Sequence, residues 1–496
     1  MNLYAITLAL IVATLLAVSL TRLGKVKTKA DYLIAGRSLP AFVLVFTLLS
    51  SWIGSGSLLG GAENAYKHGF AALWQAAGGW AGLALIYFIA PRARHFAQYT
   101  IPDLLETRYN QTARVLGVIA ILFTYTAITS YQFIGGGDIL HLIFPAISAI
   151  QGRCLIAVFV IVLTAIAGMS SVAYTDLAIG LLATFTLCLA LPVLVHSFGG
   201  WSAVHAALPA THFQIFGDIT PIQAMELFLP TCLLMLGNQS MYQKFFSAKS
   251  EKDATRAVTG WIIGTIILET VIVAIAVTGS AIFPTGEVHD HPREILAYVG
   301  LHGFSPAPSI HLDANAASAL SLDLLQLLGA LLVGAIFAKI ISTANNYLFS
   351  PATNLVNDIF VRYIRPNSGN QQVLLVSRLM VVFLGLWALY QGLHTESVLK
   401  KALYAYTIYS AALTPVILAA FYSRRATASA AVASIFTGTF VTVFWDTPFI
   451  HTHLPPIIAE RDAIFPALVA SLLCLTIVSL LTPRPTEDHL RAFAGK

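Results

Sequence analysis

Apolar runs of about 20 residues recur along almost the whole chain, with short polar connections between them. Runs of this length match the thickness of a bilayer and predict membrane-spanning α-helices, whereas an outer-membrane barrel would show alternating segments of about ten residues. The pattern predicts thirteen spans, at residues 2–22, 40–63, 71–91, 115–145, 151–169, 173–197, 222–241, 257–283, 322–347, 373–395, 400–422, 427–446 and 462–482.

The second predicted span is interrupted at its centre. Residues 50–61 carry four glycines and four serines, and each interior glycine costs a helix roughly 1 kcal/mol relative to alanine. One interpretation is a broken helix with free carbonyl groups that hold a cation or a polar solute, since lipid tolerates irregular backbone only where protein covers it or a cavity adjoins it. The other is a face of small residues that lets helices pack closely.

A second interruption, residues 237–240 (GNQS), lies near the inner end of the seventh span. The two interrupted spans are five apart in the chain. Broken helices at matching positions of two five-helix halves are typical of transporters built from inverted repeats. The spacing therefore indicates that kind of transporter.

The composition is that of an integral membrane protein, with 57% hydrophobic and 10% charged residues against about 25% charged residues in soluble domains. The net charge of +5 gives no indication of nucleic-acid binding, because the basic residues belong to loops. An outside N-terminus places most of the 28 lysines and arginines in the cytoplasm, as the positive-inside rule requires. Thirteen spans then make the C-terminus cytoplasmic.

Asp176 lies early in the sixth span. An ionisable residue inside a span is a functional hypothesis, because a charge at the bilayer centre costs about 3 kcal/mol or more. The alternative is a carboxylate near the interface that the helix dipole stabilises.

The ninth span carries four oxygen-bearing side chains within about one helical turn: Ser342, Thr343, Asn345 and Asn346. Hydroxyl, amide and carbonyl oxygens suit a small hard cation such as sodium. Serine and threonine can also simply bond back to the carbonyl four residues earlier.

Lys339 lies three residues before Ser342, so the two share a helix face. A lysine at this depth needs a partner or an aqueous cavity, and Glu269 in the middle of the eighth span is the candidate partner. Two interpretations stay open: a structural Lys339–Glu269 pair, or a tethered ammonium group that occupies or competes for a cation site. The mixed-charge connection at residues 243–256 predicts an interfacial helix under the bundle.

Several segments, in this order, resemble motifs of the sodium:solute symporter family, which includes carriers of sugars, proline, pantothenate, sialic acid, choline and urea. DYLIAGRSLP at residues 31–40 is similar to the family's "FLAGRSL", and AGMSSVAYTD at 167–176 is similar to "GGLxAVxxTD". NQ at 238–239 with QKFFSAKS at 243–250 resembles "NQ…QRxLAAKS". STAN at 342–345 resembles "SSxxS", and Pro415 with Arg424 and Arg425 resembles "P…YWRR". The resemblance runs from about residue 30 to 445.

The resemblance implies an all-α integral membrane protein with a LeuT-type core of two inverted five-helix repeats and broken helices. We therefore expect an extra N-terminal transmembrane helix at 1–23, a first repeat at 40–197 and a second at 222–422. Two C-terminal transmembrane helices and a short cytoplasmic tail would occupy 423–496.

The family's shared sodium site, carried over by motif, uses two carbonyls at the first break and a carbonyl plus two hydroxyls in the ninth span. These positions are Ser50 and Ile53, then Lys339, Ser342 and Thr343.

The resemblance implies two further sets of positions. A second sodium site, present in some members, would involve Asp176, Asn345 and Asn346, and the solute pocket would draw on Gly56, Ser57, Gln132 and Asn238. Two departures from the family pattern stand out. Trp52 occupies a position where some members have a polar or acidic residue, and Lys339 stands where small residues are usual.

We therefore expect a secondary active transporter, not an enzyme, in the inner (bacterial-type) cell membrane. It would move a small polar organic solute inward together with sodium, by alternating access. Its partners would be the solute, sodium and the lipid bilayer, with no nucleic acid and no obligate protein partner. The alternatives are the same fold coupled to protons or to no ion, with Lys339 as a tethered cation, and a transporter-like solute sensor.

Overall fold

The computed structural model describes residues 3–23, 28–91, 93, 100–166, 168–304, 322–395, 397–445, 447–459, 461–487 and 490. These residues are almost entirely helical and contain no β-strand. The last part of the predicted cytoplasmic tail, residues 491–496, lies outside the described residues.

Thirteen helical units, α1 to α13, follow the order of the predicted spans, and three of them are divided into halves a and b. The first six are α1 (Leu3–Leu23), α2a (Ala41–Trp52), α2b (a π-helical turn at Gly56–Gly61 that continues as Ala62–His68), α3 (Leu73–Ile86), α4 (Gln111–Ile143), α5 (Ala149–Ile166) and α6 (Met169–Ser197). The others are α7a (Pro221–Gly237), α7b (Gln239–Ser247), α8 (Glu251–Ile282), α9 (Leu322–Asn354), α10 (Asn370–Leu393), α11a (Val398–Ala412), α11b (Thr414–Tyr422), α12 (Ala428–Trp445) and α13 (Ile464–Leu481).

Within the described residues, eleven helices rather than thirteen are long and apolar enough to cross a membrane without interruption. The difference arises at the two predicted interruptions. The halves of α2 and α7 are too short to count on their own, and α2b is counted together with α3 as one segment, Gly56–Ile86. The sequence pattern counts apolar length across a break, whereas the structure ends a helix where its hydrogen bonding stops.

Each break consists of a residue in an extended conformation between two helical segments. Ile53 has φ −81° and ψ 101° after α2a, and Asn238 has φ −61° and ψ 112° between α7a and α7b. An extended residue interrupts the helical hydrogen-bond ladder and leaves carbonyl groups of the preceding turn available.

Helices α9 and α11 are packed at the centre of the molecule. The most apolar stretches of α9 and α11 are 78% buried, whereas those of α1 and α13 are 22% buried. α2a contacts α6, α8 and α9, while α1 lies outside α6 and α9, and α12 and α13 pair outside α11. The division of the other helices into two inverted repeats stays a prediction.

A main-chain bridge joins the segment before α2a to the segment after α7b. The Leu39 amide donates to the Ser247 carbonyl (3.1 Å), and the Lys249 amide donates to the Leu39 carbonyl (2.9 Å). The start of α2a and the end of α7b are therefore held side by side.

An ion cluster lies at the same end of the bundle. We call it the inner ion cluster, after the side of the membrane that the sequence analysis expects for this end, and it consists of Asp103, Glu106, Arg114, Asp358 and Arg362. Arg114 contacts all three carboxylates, and Arg362 lies 2.7 Å from Glu106. Burial raises the pKa of Glu106, but hydrogen bonds from Arg362 and Arg114 outweigh burial, so the pKa is lowered overall.

Candidate functional site

Three main-chain carbonyl groups from two helices converge on one hydroxyl group. The oxygen of the Thr343 hydroxyl lies 2.8 Å from the carbonyl oxygen of Ser50, 3.2 Å from that of Ile53 and 2.9 Å from that of Lys339. Ser50 and Ile53 precede or form the first break, and the other two residues belong to α9. One hydroxyl proton can serve only one acceptor at a time. The position therefore has more oxygen acceptors than donors.

The close contact between the first break and α9 requires the glycine at position 54. A Cβ atom on Gly54 would lie 2.6 Å from the Thr343 hydroxyl oxygen and 2.7 Å from its methyl carbon. No side chain fits at that separation, so glycine allows the backbone of the break to lie directly against Thr343.

Asp176 is fully buried in α6 and accepts hydrogen bonds from two other helices. Its carboxylate accepts from Thr47 of α2a and from Ser342 and Asn346 of α9, with the Asn346 amide nitrogen at 3.0 Å. Its main-chain carbonyl accepts from the Ser50 hydroxyl at 3.1 Å. The structure thus brings residues of the two predicted sodium sites into one network.

Asn345, the third member of the predicted second sodium site, does not join this network. It is buried, and its side-chain oxygen has no hydrogen-bond partner among the described residues. Consecutive residues of an α-helix point about 100° apart, so Asn346 contacts Asp176 whereas Asn345 points elsewhere.

Two fully buried lysines lie close to Asp176. The Lys339 ammonium donates to the Ser50 hydroxyl at 3.2 Å, and the Lys244 ammonium donates to the Asn346 amide oxygen at 2.7 Å. Both ammonium groups interact electrostatically with the Asp176 carboxylate. One carboxylate therefore faces two positive charges in this region.

Lys339 and Glu269, the candidate charge pair, do not contact each other in the structure. The pairing is therefore corrected. Lys339 bonds to Ser50, whereas Glu269 accepts from the indole nitrogens of Trp52 (2.8 Å) and Trp80 (3.0 Å). Both residues lie deep in their spans, as the sequence indicates, but the side chains point to different neighbours. Depth in a span does not determine the direction in which a side chain points.

Two of the predicted solute residues, Gln132 and Asn238, bind main-chain groups at the breaks. The Gln132 side-chain oxygen accepts from the Ser55 amide at 2.8 Å. The Asn238 side chain caps α7b by accepting from the amides of Ser240 (3.0 Å) and Met241 (3.3 Å). Both side chains satisfy donors that the breaks would leave unpaired.

The other two predicted solute residues adjoin a small cavity beside the first break. The polar and aromatic residues that line it are Trp52, Ser57, Gln75, Glu269 and Tyr406. The rest of the lining is Gly61, Ala72 of the turn before α3, Ala76 of α3, and Ile272 and Val273 of α8. The space for the centres of water molecules is about 20 Å³. Gly56 lies behind it, where a Cβ atom would come 2.6 Å from the Tyr406 hydroxyl.

The sequence analysis did not identify Thr47, Lys244, Trp80 and Tyr406. It assigned Lys244 to an interfacial helix, but all nine residues of α7b are buried within the bundle, so that prediction is wrong. The predicted seventh span ended at residue 241, just past the GNQS interruption, and therefore left Lys244 outside the membrane. Thr47 stands three residues before Ser50 on one helix face, which was the available signal.

The chain is similar to known transporters over nearly its full length. A sodium/proline symporter of Staphylococcus aureus is 24% identical over 483 residues, which cover 92% of this chain and 88% of that protein. The solved outward-open structure of a Na⁺-coupled sialic acid symporter aligns with a TM-score of 0.75 at 17% identity, covering 98% of this chain and 99% of that one.

A nucleobase-cation-symport-1 family transporter, closed around bromovinylhydantoin, aligns with a TM-score of 0.60 at 10% identity over 94% of this chain and 99% of that chain. These two structures confirm the predicted all-helical, LeuT-type fold. The chain is a multi-pass membrane transporter and not an enzyme. Because the model of the sodium:solute symporter family matches residues 32–438, the chain belongs to that family.

Proposed function

We propose that the protein carries a small polar organic solute into the cell together with sodium, by alternating access. The observation that carries this proposal is the convergence of three carbonyl oxygens, from the first break and from α9, around the Thr343 hydroxyl. Oxygen-only surroundings suit a hard monovalent cation, because sulfur and imidazole ligands would favour softer metals.

Sodium would take its ligands from the five positions that the family resemblance indicates: the carbonyls of Ser50, Ile53 and Lys339 and the hydroxyls of Ser342 and Thr343. Ser342 would then turn from its hydrogen bond with Asp176 toward the ion. The bound ion would tie α2 to α9. A ligand shifts a conformational equilibrium only through different affinities for the two states, so sodium would favour whichever state brings these helices together.

The second sodium position is supported by Asp176 and Asn346, which are hydrogen-bonded to each other, and less by Asn345, whose side chain is not part of that group. For the solute we propose Gly56 and Ser57 as direct neighbours. Gln132 and Asn238 would exchange their bonds to the backbone for bonds to the solute when the breaks move.

The membrane potential would supply part of the driving force. Moving one charge through 100 mV is worth about 2.3 kcal/mol. With one sodium ion per solute, that term alone supports roughly fifty-fold accumulation. Inward driving by this potential fits the proposed orientation, with the N-terminus outside, the inner ion cluster in the cytoplasm and the protein in the inner membrane.

A second candidate keeps the fold but couples transport to protons or to no ion. It is favoured by Lys339, whose ammonium group donates to Ser50 within 3.2 Å and therefore lies beside the proposed sodium position. A tethered positive charge there would compete with sodium. The Lys339 ammonium group and a sodium ion cannot both occupy this position.

Binding of radioactive sodium to the purified protein tests the proposal without knowledge of the solute. We expect saturable binding that Thr343→Ala abolishes and that Thr343→Ser, which keeps the hydroxyl, retains. Lys339→Ala should strengthen sodium binding, since it removes the nearby positive charge. Absence of saturable sodium binding in the wild type, together with its appearance in Lys339→Ala, would favour the second candidate.

Uptake into proteoliposomes then tests the coupling. L-Proline is the first solute to use, because one similar protein is named a sodium/proline symporter. An inward sodium gradient should drive uptake of a transported solute, and replacing sodium by potassium should stop it. Uptake that persists in potassium would contradict sodium coupling.

A further inference from the structure

Glu269 is a buried carboxylate whose hydrogen-bond donors are all neutral. It is 4% exposed near the middle of α8. The Trp52 and Trp80 indoles donate to it at 2.8 Å and 3.0 Å, and the Ser57 hydroxyl donates at 3.3 Å. These bonds hold the carboxylate in a fixed orientation without neutralising its charge.

The described part of the chain offers Glu269 no cationic partner. No lysine, arginine or histidine there forms an ion pair with it, and Lys339, the candidate partner, points to Ser50. A buried carboxylate without a counter-charge in the protein is stable only when it takes up a proton or has a cation beside it. A cation from outside the chain would supply the missing charge.

The space next to Glu269 has the chemistry of an ammonium site. Glu269 forms one side of the small cavity, and Trp52 and Tyr406 form another, with their rings stacked at a centroid separation of 6.2 Å and an angle of 28°. Aromatic faces attract positively charged groups, most strongly when the site is desolvated. Gln75 adds a polar side chain to the lining without adding charge.

The size of the cavity limits what it can hold. About 20 Å³ is open to the centres of water molecules, close to the roughly 10–15 Å³ that one water molecule needs. The cavity in this conformation therefore holds about one water-sized group, and a larger head group, such as a quaternary ammonium group, requires an outward movement of α2b and α3. A bulky or anionic solute is disfavoured by both size and charge.

We propose that this cavity binds the ammonium group of an organic amine or quaternary ammonium solute, with Glu269 as its counter-charge and Trp52 and Tyr406 as its aromatic walls. The inference rests on the proposed transport function and specifies the class of solute. The hydrogen bonds from Trp52 and Ser57, which belong to the first broken helix, connect recognition of the solute to the proposed sodium position.

Two probes of the same shape separate charge from size. Choline carries a quaternary nitrogen, and 3,3-dimethylbutan-1-ol replaces that nitrogen by carbon and has no charge. Ethanolamine and D-glucose extend the comparison to a primary amine and a neutral polyol. Binding is measured by calorimetry with purified full-length protein in saturating sodium.

We expect choline or ethanolamine to bind the wild type at least tenfold more tightly than 3,3-dimethylbutan-1-ol and D-glucose. Glu269→Gln removes the charge and keeps an oxygen acceptor for one of the two indoles, while an NH₂ group replaces the oxygen that faces the other. It should lower ammonium binding at least tenfold. Glu226→Gln, the same change on α7a away from the cavity lining, should leave binding unchanged.

Radioactive sodium binding is measured on the same samples, and Glu269→Gln should retain it, which also shows that the variant is folded. The inference is overturned if D-glucose or the uncharged alcohol binds as well as the ammonium probes, if neither ammonium probe binds, or if Glu269→Gln binds them as the wild type does. If the wild type shows no saturable sodium binding, the proposed sodium coupling is refuted instead. Failure of the ammonium site and failure of sodium coupling are therefore distinguishable.

Discussion

Replacing Gly54 by alanine should weaken sodium binding without unfolding the protein. The new Cβ atom would lie 2.6 Å, 2.7 Å and 2.8 Å from the hydroxyl oxygen, methyl carbon and Cβ of Thr343. Because threonine is β-branched and rotates little at χ1, the whole side chain or the backbone of the break must move. Either movement separates the Thr343 hydroxyl from the carbonyls of Ser50 and Ile53.

Inserting one methyl group into a tightly packed site costs about 1–3 kcal/mol. If the strain falls on the ion site, sodium affinity should drop roughly five- to 150-fold, since 1.4 kcal/mol corresponds to a factor of ten. The assay is competition of unlabelled against radioactive sodium on purified protein. No backbone penalty is expected, because Gly54 is not among the glycines with positive φ.

Gly60→Ala provides a matched control in the same interrupted stretch. A Cβ atom there would meet Leu399 at 3.4 Å, an ordinary contact distance, and sodium affinity should stay within about twofold of the wild type. Adding Thr343→Ser to Gly54→Ala should restore part of the affinity, because serine lacks the methyl group and rotates more freely. A folded Gly54→Ala protein with wild-type sodium affinity would refute the assignment of Thr343 and the first break to the ion site.

Three further predictions concern stability, measured as the thermal unfolding midpoint in detergent. Asn238→Ala should lower the midpoint, because loss of the cap on α7b costs about 1 kcal/mol. The Tyr347 hydroxyl, 2.9 Å from the Asn238 amide nitrogen, would also lose that partner. An unchanged midpoint would contradict the capping role. Asp176→Asn should destabilise by about 3–5 kcal/mol, since two buried ammonium groups lose their shared carboxylate, and adding Lys244→Met should recover part of the loss; no recovery would argue against charge as the cause. The lowered pKa of Glu106 means that its contribution to stability is complete above the unfolded-state value of about 4.3 and disappears as pH falls through the folded-state value. The midpoint should therefore fall more steeply below about pH 5 in the wild type than in Glu106→Gln, and equal slopes would exclude a stabilising inner ion cluster.

The sequence predicted the helices, the two breaks and their spacing, because glycine, serine and asparagine at membrane depth have a direct physical meaning. Ser50, Ile53, Lys339 and Thr343 came from the family resemblance, and the structure brings them together. No local pattern could supply that convergence, since it depends on how α2a and α9 pack.

The failed and missing assignments have one physical cause. Apolar periodicity gives the depth of a residue in the membrane but says little about the direction of its side chain when a helix is apolar all round. Glu269 and Lys339 were paired by depth, although Glu269 faces two tryptophans. Lys244 was assigned to the interface because its segment is amphipathic, yet its side chain points inward and bonds to Ser51 of α2a and Asn346 of α9.

The bridge between Leu39 and Ala248 has a consequence for the transport cycle. Two peptide hydrogen bonds join the inner halves of both broken helices, so separating those halves would require breaking main-chain bonds away from competing water. We therefore expect α2a and α7b to move together during transport, and a passage on this side of the bundle to open along their outer flanks, at the contacts with α6 and α9. The inner ion cluster lies at one of those flanks. We expect the ion pairs of this cluster to oppose that movement, and the extended residues Ile53 and Asn238 to act as its hinges.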